Sequence, residues 1–355
     1  MNRDELKAAV DAGEVLSGLD FSGQDLSGMD FGGIIFENVR FTGANLAGAC
    51  FREAILTECN LDAANLTEAD LRKSTLHGCS FIEANLERSQ LAGAKIAKAN
   101  LTGARLGQTT PTVTAFAECQ LDGASFERAF LDRTNIVMST TVGIDLTGAR
   151  LYQTNFLDAD LREAKLDGVS LHMAVMPKAN LSGCNLAGLD LRRVQLMDAD
   201  LTKCDMQGAQ LENSNFKGAK LAFANLTGVT APRSLFLEAD LRGAILKGAK
   251  IAQSIFSDAN LAGAALSGAD ANMTVWHRAS CLGAKFDGAD LTYADFSNAD
   301  VSIADFSRAT LFRARFHRVK DDDAIFTSRS AALGDDEELA KTEDKLALLA
   351  EKRVR

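Results

Sequence analysis

Aromatic residues are scarce in this chain: 6% of 355 residues, with one Trp and two Tyr against 20 Phe, so Phe is used selectively. No run of 18 apolar residues occurs, which excludes a membrane-spanning helix. The N-terminus, Met1-Asn2-Arg3-Asp4-Glu5, is charged and lacks an apolar core segment, so no secretory signal is expected. Enzyme signals are missing as well: no Ser/His/Asp set, phosphate loop or paired-histidine motif is visible. The net charge of −10, with a pI near 5.0, is mild for this length. Neither the 3.6-residue period of a helix nor the two-residue alternation of a strand describes the apolar pattern.

What is there instead is a period of five. From Leu16 to Phe316 the residue whose number ends in 1 or 6 is almost always Leu, Phe, Ile or Met, at 61 successive positions. Pro111, Thr141, Ala231, Ala271 and Cys281 break the chemistry but not the phase. Fixed self-similarity of this kind means a repeat architecture, which grows by adding coils rather than by starting new cores. With the central apolar residue as i, position i−2 is usually small and i−1 is often Asp or Asn, as at Asp20, Asn45, Asn65 and Asp160. Position i+2 holds 25 of the 28 glycines, which suits the positive φ of a type II turn. Asp and Asn beside a turn can satisfy local backbone groups.

Repeated A(D/N)LXX resembles the pentapeptide-repeat family over about 300 of the 355 residues. The resemblance implies an all-β solenoid, a right-handed quadrilateral β-helix of four repeats per coil, with i−2 and i inward and i−1, i+1 and i+2 outward. A four-sided coil demands a 20-residue superperiod. Sorted that way, the file starting at Leu16 takes eight of 17 central phenylalanines, among them Phe36, Phe156 and Phe256, and also Trp276. At roughly 4.8 Å between coils, about 15 coils would give a rod roughly 70 Å long.

Three segments are expected. Residues 1–13 read as a capping helix, with Asn2 a possible N-cap, Leu6, Ala9 and Val10 covering the first coil, and Gly13 as the stop. Residues 14–326 form the β-helix, and residues 327–355 a linker and helical tail with a thin stripe of Leu339, Leu346 and Leu349. That tail caps the coils, dimerises them or frays; the family resemblance implies dimerisation. Pro111, Ala231 and Ala271 share one side of the coil and read either as sequence drift or as a bend shaping a partner surface.

The chemistry of sites is bland. Cys59, Cys79, Cys119, Cys184 and Cys204 fall at i−2 and read as small buried residues, so a reducing, cytoplasmic setting is expected and no metal or cofactor is called for. His77, His172, His277 and His317 all sit at i+1, facing solvent on separate coils. The function is then to bind a protein partner through the side walls as a rigid, non-enzymatic scaffold. The column i−1 on the Phe-rich side reads Val15, Ile35, Ile55, Ala115, Val175, Leu235, Ile255 and Val275, eight of the 12 apolar i−1 residues in the coils. Leu157, Met197 and Leu237 add to the same face. Exposed apolar strips mark interaction sites, for a partner or for a second copy of the chain, though β-branched stacking would also account for the column.

Two alternatives come from the resemblance. Some pentapeptide proteins inhibit DNA gyrase or topoisomerase by imitating duplex DNA. The repeat region carries only −6, and its four sides −1, −4, −2 and +2, with Glu14 supplying the rest. Even the −4 side, with Asp20, Asp122, Asp160, Asp200 and Asp240, mixes in Arg162, Lys203 and Arg242. Duplex DNA would present on the order of 40 charges over that length, so mimicry is weakly supported and direct nucleic-acid binding less so. The opening residues from Glu14 to Gly28 also resemble pentapeptide proteins associated with bacterial type VI secretion effectors.

Overall fold

A computed structural model describes residues 3–354, with side chains described to residue 346. The chain divides into two compact units. The first comprises residues 3–185 and 189–200, the second residues 186–188 and 201–354.

The backbone of one pentapeptide explains the fold. In residues 20–24, Phe21 N donates to Arg40 O (2.7 Å) and Gly23 N to Thr42 O (2.9 Å), both one coil on. Gln24 N closes the turn onto Phe21 O at 3.1 Å. Residue i−1 donates back to the preceding coil, as Arg40 N does to Leu19 O at 2.9 Å. One amide, that of i+1, points outward, and the i−1 side chain takes it: Ser22 N donates to Asp20 Oδ1 at 2.9 Å. Thr67 N to Asn65 and Arg242 N to Asp240 repeat the arrangement. The Asp/Asn preference is therefore for an Asx acceptor in the turns that carry it.

In the first unit, helix α1 (Arg3–Asp11) buries Leu6 and Ala9, and its Arg3 guanidinium donates to Ser27 O at 2.7 Å. Val10 is half-buried, and Asn2 lies outside the described residues. Eight short parallel strands follow: β1 (Leu16–Ser17), β2 (Ile35–Glu37), β3 (Ile55–Thr57), β4 (Thr75–His77), β5 (Lys95–Ala97), β6 (Ala115–Ala117), β7 (Asn135–Val137) and β8 (Asn155–Leu157). They pair in sequence order with a register of one coil, Leu16 to Phe36 and Phe36 to Leu56. Bridges such as Asp20–Arg40, Asp25–Asn45 and Asp30–Cys50 carry the same register on the other three sides. The coil is thus a four-sided parallel β-solenoid, as expected.

In the second unit the same register runs through Asn215, Leu235, Ile255, Val275, Asp295 and Arg315. Strands β9 (Asp305–Phe306) and β10 (Ile325–Phe326) pair in parallel. The core holds an aromatic ladder, Phe216, Phe236, Phe256, Trp276, Phe296 and Phe316, with successive rings 4.3–5.5 Å apart and near parallel. Trp276 satisfies its indole N–H on the buried Thr274 hydroxyl at 2.7 Å. Helix α2 (Glu337–Val354) docks on the last coils. The Arg329 guanidinium covers the Phe316 and Phe326 rings at 4.6 and 5.2 Å and pairs with Asp321.

Three expectations change. The turn position i+2 has positive φ at all 25 of its glycines, but 37 other residues, including Glu58, Arg133 and Met138, adopt it too. The ladder imposes that conformation, and glycine only makes it cheaper. The interruptions at Pro111 and Ala231 keep a bond that regular turns of the same wall make: Thr134 donates to Pro111 O and Ser254 to Ala231 O at 2.7 Å, as Thr114 does to Leu91 O and Ser234 to Leu211 O. Finally, His317 does not face solvent. It is 0% exposed, accepts from Asp336 N at Nδ1 (3.1 Å), and places Nε2 3.2 Å from Glu343 Oε2 of α2. The tail folds back over the coil at that point, which a five-residue period cannot anticipate. Leu339 and Leu346 stay exposed on α2, and the Leu349 side chain lies outside the described residues.

Candidate protein-interaction surface

Inward positions are full. The central Leu and Phe residues named above from Leu16 to Phe316 are buried, as are the i−2 cysteines Cys59, Cys79, Cys119, Cys184 and Cys204. Burial pushes the Cys184 thiol up to about 11, with Asp160 adding in the same direction, which keeps it an inert thiol at neutral pH. All seven cysteines are free thiols. Among the described residues no cluster of three His, Cys, Asp or Glu could hold a metal ion, and no helix is long and apolar enough to cross a membrane. The surfaces on offer are the side walls.

In the first unit the register sets Ile35 beside Ile55, while Val15 sits one residue before Leu16, the partner of Phe36. Val15 and Ile55 are exposed and Ile35 is half-buried between coils. The column then runs through Thr75, Lys95, Ala115, Asn135 and Asn155, polar but for Ala115, before Val175. Leu157 pairs with Val137 and is exposed; Met197 is half-buried. In the second unit Leu235, Ile255 and Val275 bridge one to the next, and they and Leu237 are half-buried. The column thus makes two short apolar strips, one per unit. Leu157, Val175 and Met197 belong to neither. The apolar members also forfeit the Asx acceptor: the amides of Leu237 and Ser257 face outward without the side-chain oxygen that Asp or Asn would supply.

Carboxylates on the acidic side are largely neutralised. Asp20 pairs with Arg40 at 2.7 Å, Asp160 with Arg162 at 2.6 Å and Asp240 with Arg242 at 2.6 Å. The hydrogen bonds from those arginines hold the Asp160 and Asp240 carboxyls below the usual range, and for Asp20 the Ser22 hydroxyl adds the larger share.

A further feature lies on the wall that contains Pro111, Ala231 and Ala271. In the first unit it exposes Val113, Phe130 and Tyr152; in the second, Met273, Tyr293 and Phe312. Arginines lie on these rings: Arg150 over Phe130 at 5.1 Å and Arg313 over Tyr293 at 5.8 Å. The repeat motif scatters these residues over its three outward places, Phe130 at i−1, Tyr152 and Phe312 at i+1, and Val113, Met273 and Tyr293 at i+2. A signal was available: both tyrosines of the chain follow central residues, Leu151 and Leu291, that share the remainder of Pro111 modulo 20.

Comparison with known proteins bears on the fold. The family model described as pentapeptide repeats matches between residues 144 and 320, and that described as a pentapeptide repeat region matches residues 29–110. A pentapeptide repeat protein from the thylakoid lumen of Arabidopsis thaliana is 32% identical over 35% of this chain and 71% of its own, with a TM-score of 0.26. HetL from Nostoc sp. strain PCC 7120, a pentapeptide repeat protein involved in heterocyst differentiation regulation, is 23% identical over 88% of this chain and 96% of its own, with a TM-score of 0.23. QnrB1, a plasmid-mediated fluoroquinolone resistance protein, is 19% identical over 57% of this chain and 91% of its own, with a TM-score of 0.26. A search of curated protein sequences returns no match.

Proposed function

Since the chain belongs to the pentapeptide-repeat family, we propose that it is a non-enzymatic scaffold, cytoplasmic and bacterial, that binds a protein partner through its side walls. One observation carries this reading: apolar side chains stand at outward i−1 places where the fold itself favours Asp or Asn. Leu235, Ile255 and Val275 give up the Asx bond that Asp240 and Asn260 make on the neighbouring wall. A position that forgoes a local hydrogen bond to present an apolar side chain is suited to contact with another molecule.

Imitation of duplex DNA against gyrase or topoisomerase has less support, because the carboxylates it would display are neutralised by Arg40, Arg162 and Arg242. A role beside a type VI secretion effector rests on the opening residues alone, with Val15 at their exposed edge.

The test is Ile35→Asp combined with Ile255→Asp in the full chain. Both side chains point away from the core, so far-ultraviolet circular dichroism stays unchanged. Affinity capture followed by mass spectrometry loses the partner, or light scattering loses self-association. Unchanged association on both measurements refutes the strips as the binding surface.

A further inference from the structure

The wall of the first unit that carries Phe130 and Tyr152 is the stronger docking surface, and we propose that it binds a protein segment in which acidic side chains flank apolar or aromatic ones. The inference rests on the scaffold reading and names the chemistry of its partner.

Three observations point there. First, the exposed rings of this unit are concentrated on this wall: Phe130 is 47% exposed and Tyr152 43%. Rings left in water on a rigid parallel ladder, Phe130 to Arg150 to Ser170 to Asp190, are already ordered. They therefore bind with little loss of side-chain freedom, which is why aromatic and Arg residues dominate interface hot spots.

Second, the rings are held in place. The Arg150 guanidinium lies 5.1 Å from the Phe130 centroid, and Tyr152 stacks on His172 at 6.0 Å.

Third, the charges are unbalanced in one direction. Asp132 is neutralised by Arg133 at 2.9 Å and Asp190 by Arg192 at 2.8 Å. Arg150 and Arg193 have no carboxylate partner among the described residues. Over residues 129–193 the wall thus offers two guanidinium groups without a carboxylate, Arg150 beside the Phe130 ring and Arg193 further along, and no acid without an ion pair. Carboxylates on the partner complete it. Two cations are too few for a phosphate backbone, whose binding scales with the number of phosphates neutralised, so a protein segment fits better than a nucleic acid.

The experiment is fluorescence anisotropy on the full chain with three labelled probes. They are a peptide alternating Glu with Phe and Leu, the same peptide with Lys in place of Glu, and a single-stranded oligothymidylate. The acidic peptide is expected to bind about tenfold more tightly than the basic one. Arg150→Glu and the pair Phe130→Ala with Tyr152→Ala each weaken it about tenfold or more. Lys98→Glu, on a different wall, leaves it unchanged. Failure of the acidic peptide to bind overturns the proposal, as does equal binding of both peptides, wild-type affinity in Arg150→Glu, or preference for the oligothymidylate. If a captured partner is lost on Ile35→Asp with Ile255→Asp but kept on Arg150→Glu, this wall is wrong and the scaffold reading stands. If neither set of variants affects any association, both fall.

Discussion

Asn65 tests the physical meaning of the repeat most directly. Its Oδ1 accepts from Thr67 N at 3.2 Å and from the Thr67 hydroxyl at 2.6 Å, closing the turn. Its Nδ2 donates upward to Asn45 Oδ1 at 3.1 Å, and Asn45 in turn donates to Asp25 at 2.9 Å. Asn65 therefore does two separable jobs, one within its turn and one between coils. A net hydrogen bond is worth about 0.5–1.5 kcal/mol, and these sites are half-buried, so the lower half of that range applies to each. Asn65→Ala removes all three bonds and costs about 2 kcal/mol. Asn65→Asp keeps the turn acceptor and loses only the donor to Asn45, costing about 1 kcal/mol or less. Solenoids open locally, so the informative assay is native-state hydrogen exchange of the Thr67 amide rather than a global melt. Exchange at Thr67 speeds up in the Ala variant and stays slow in the Asp variant. Equal exchange at Thr67 in both variants refutes the Asx account of the A(D/N)LXX pattern.

Other outcomes follow from the same geometry. Trp276→Phe fits the ring ladder and costs less than about 1.5 kcal/mol, whereas Trp276→Ala leaves a gap between Phe256 and Phe296 and costs about 3–5 kcal/mol, as read by urea titration followed by circular dichroism. Lys98 has φ of 54° and no ion pair among the described residues, so Lys98→Gly relieves left-handed strain and raises stability slightly, by on the order of 0.5–1 kcal/mol. His317→Ala removes the coil's contacts with Glu343 and Asp336 and so loosens α2, giving faster exchange of the α2 amides and earlier tryptic cleavage of the tail, with the coils intact. The carboxyls of Asp70 and Asp190 are held low by the Arg72 and Arg192 hydrogen bonds, and that of Asp295 by Ser297 and His277 against the opposing effect of burial. A depressed folded value adds stability above the unfolded value near 4 and surrenders it as pH falls through the folded one. Stability is therefore flat from about pH 5 upward and declines below about pH 4. A midpoint that rises on acidification contradicts these pairs.

The fold was legible because its constraint is local and repeated. A buried residue every fifth place leaves one outward amide per turn, and Asp or Asn answers it; that pairing is written in Asp20–Ser22 as plainly as in Asp240–Arg242. The files were legible for the same reason, since a register of 20 follows from four such turns. Two things were not. His317 sits at an outward place by count, yet a helix beginning 20 residues later covers it, and no periodicity within the coils encodes what a terminal segment does. The degree of exposure at i−1 was the second: Val15, Ile55 and Phe130 are exposed, whereas Ile35 and Ile255 are half-buried between stacked coils. The surface proposed above draws on both kinds of place, Phe130 and Arg150 at i−1 and Tyr152 at a corner, and at the corner position i+2 residues such as Arg193 and Met273 take a left-handed backbone that glycine would adopt more easily. Each such side chain is retained against a strain of about 1 kcal/mol, so the corners that keep large side chains are the places where contact with a partner can offset that cost.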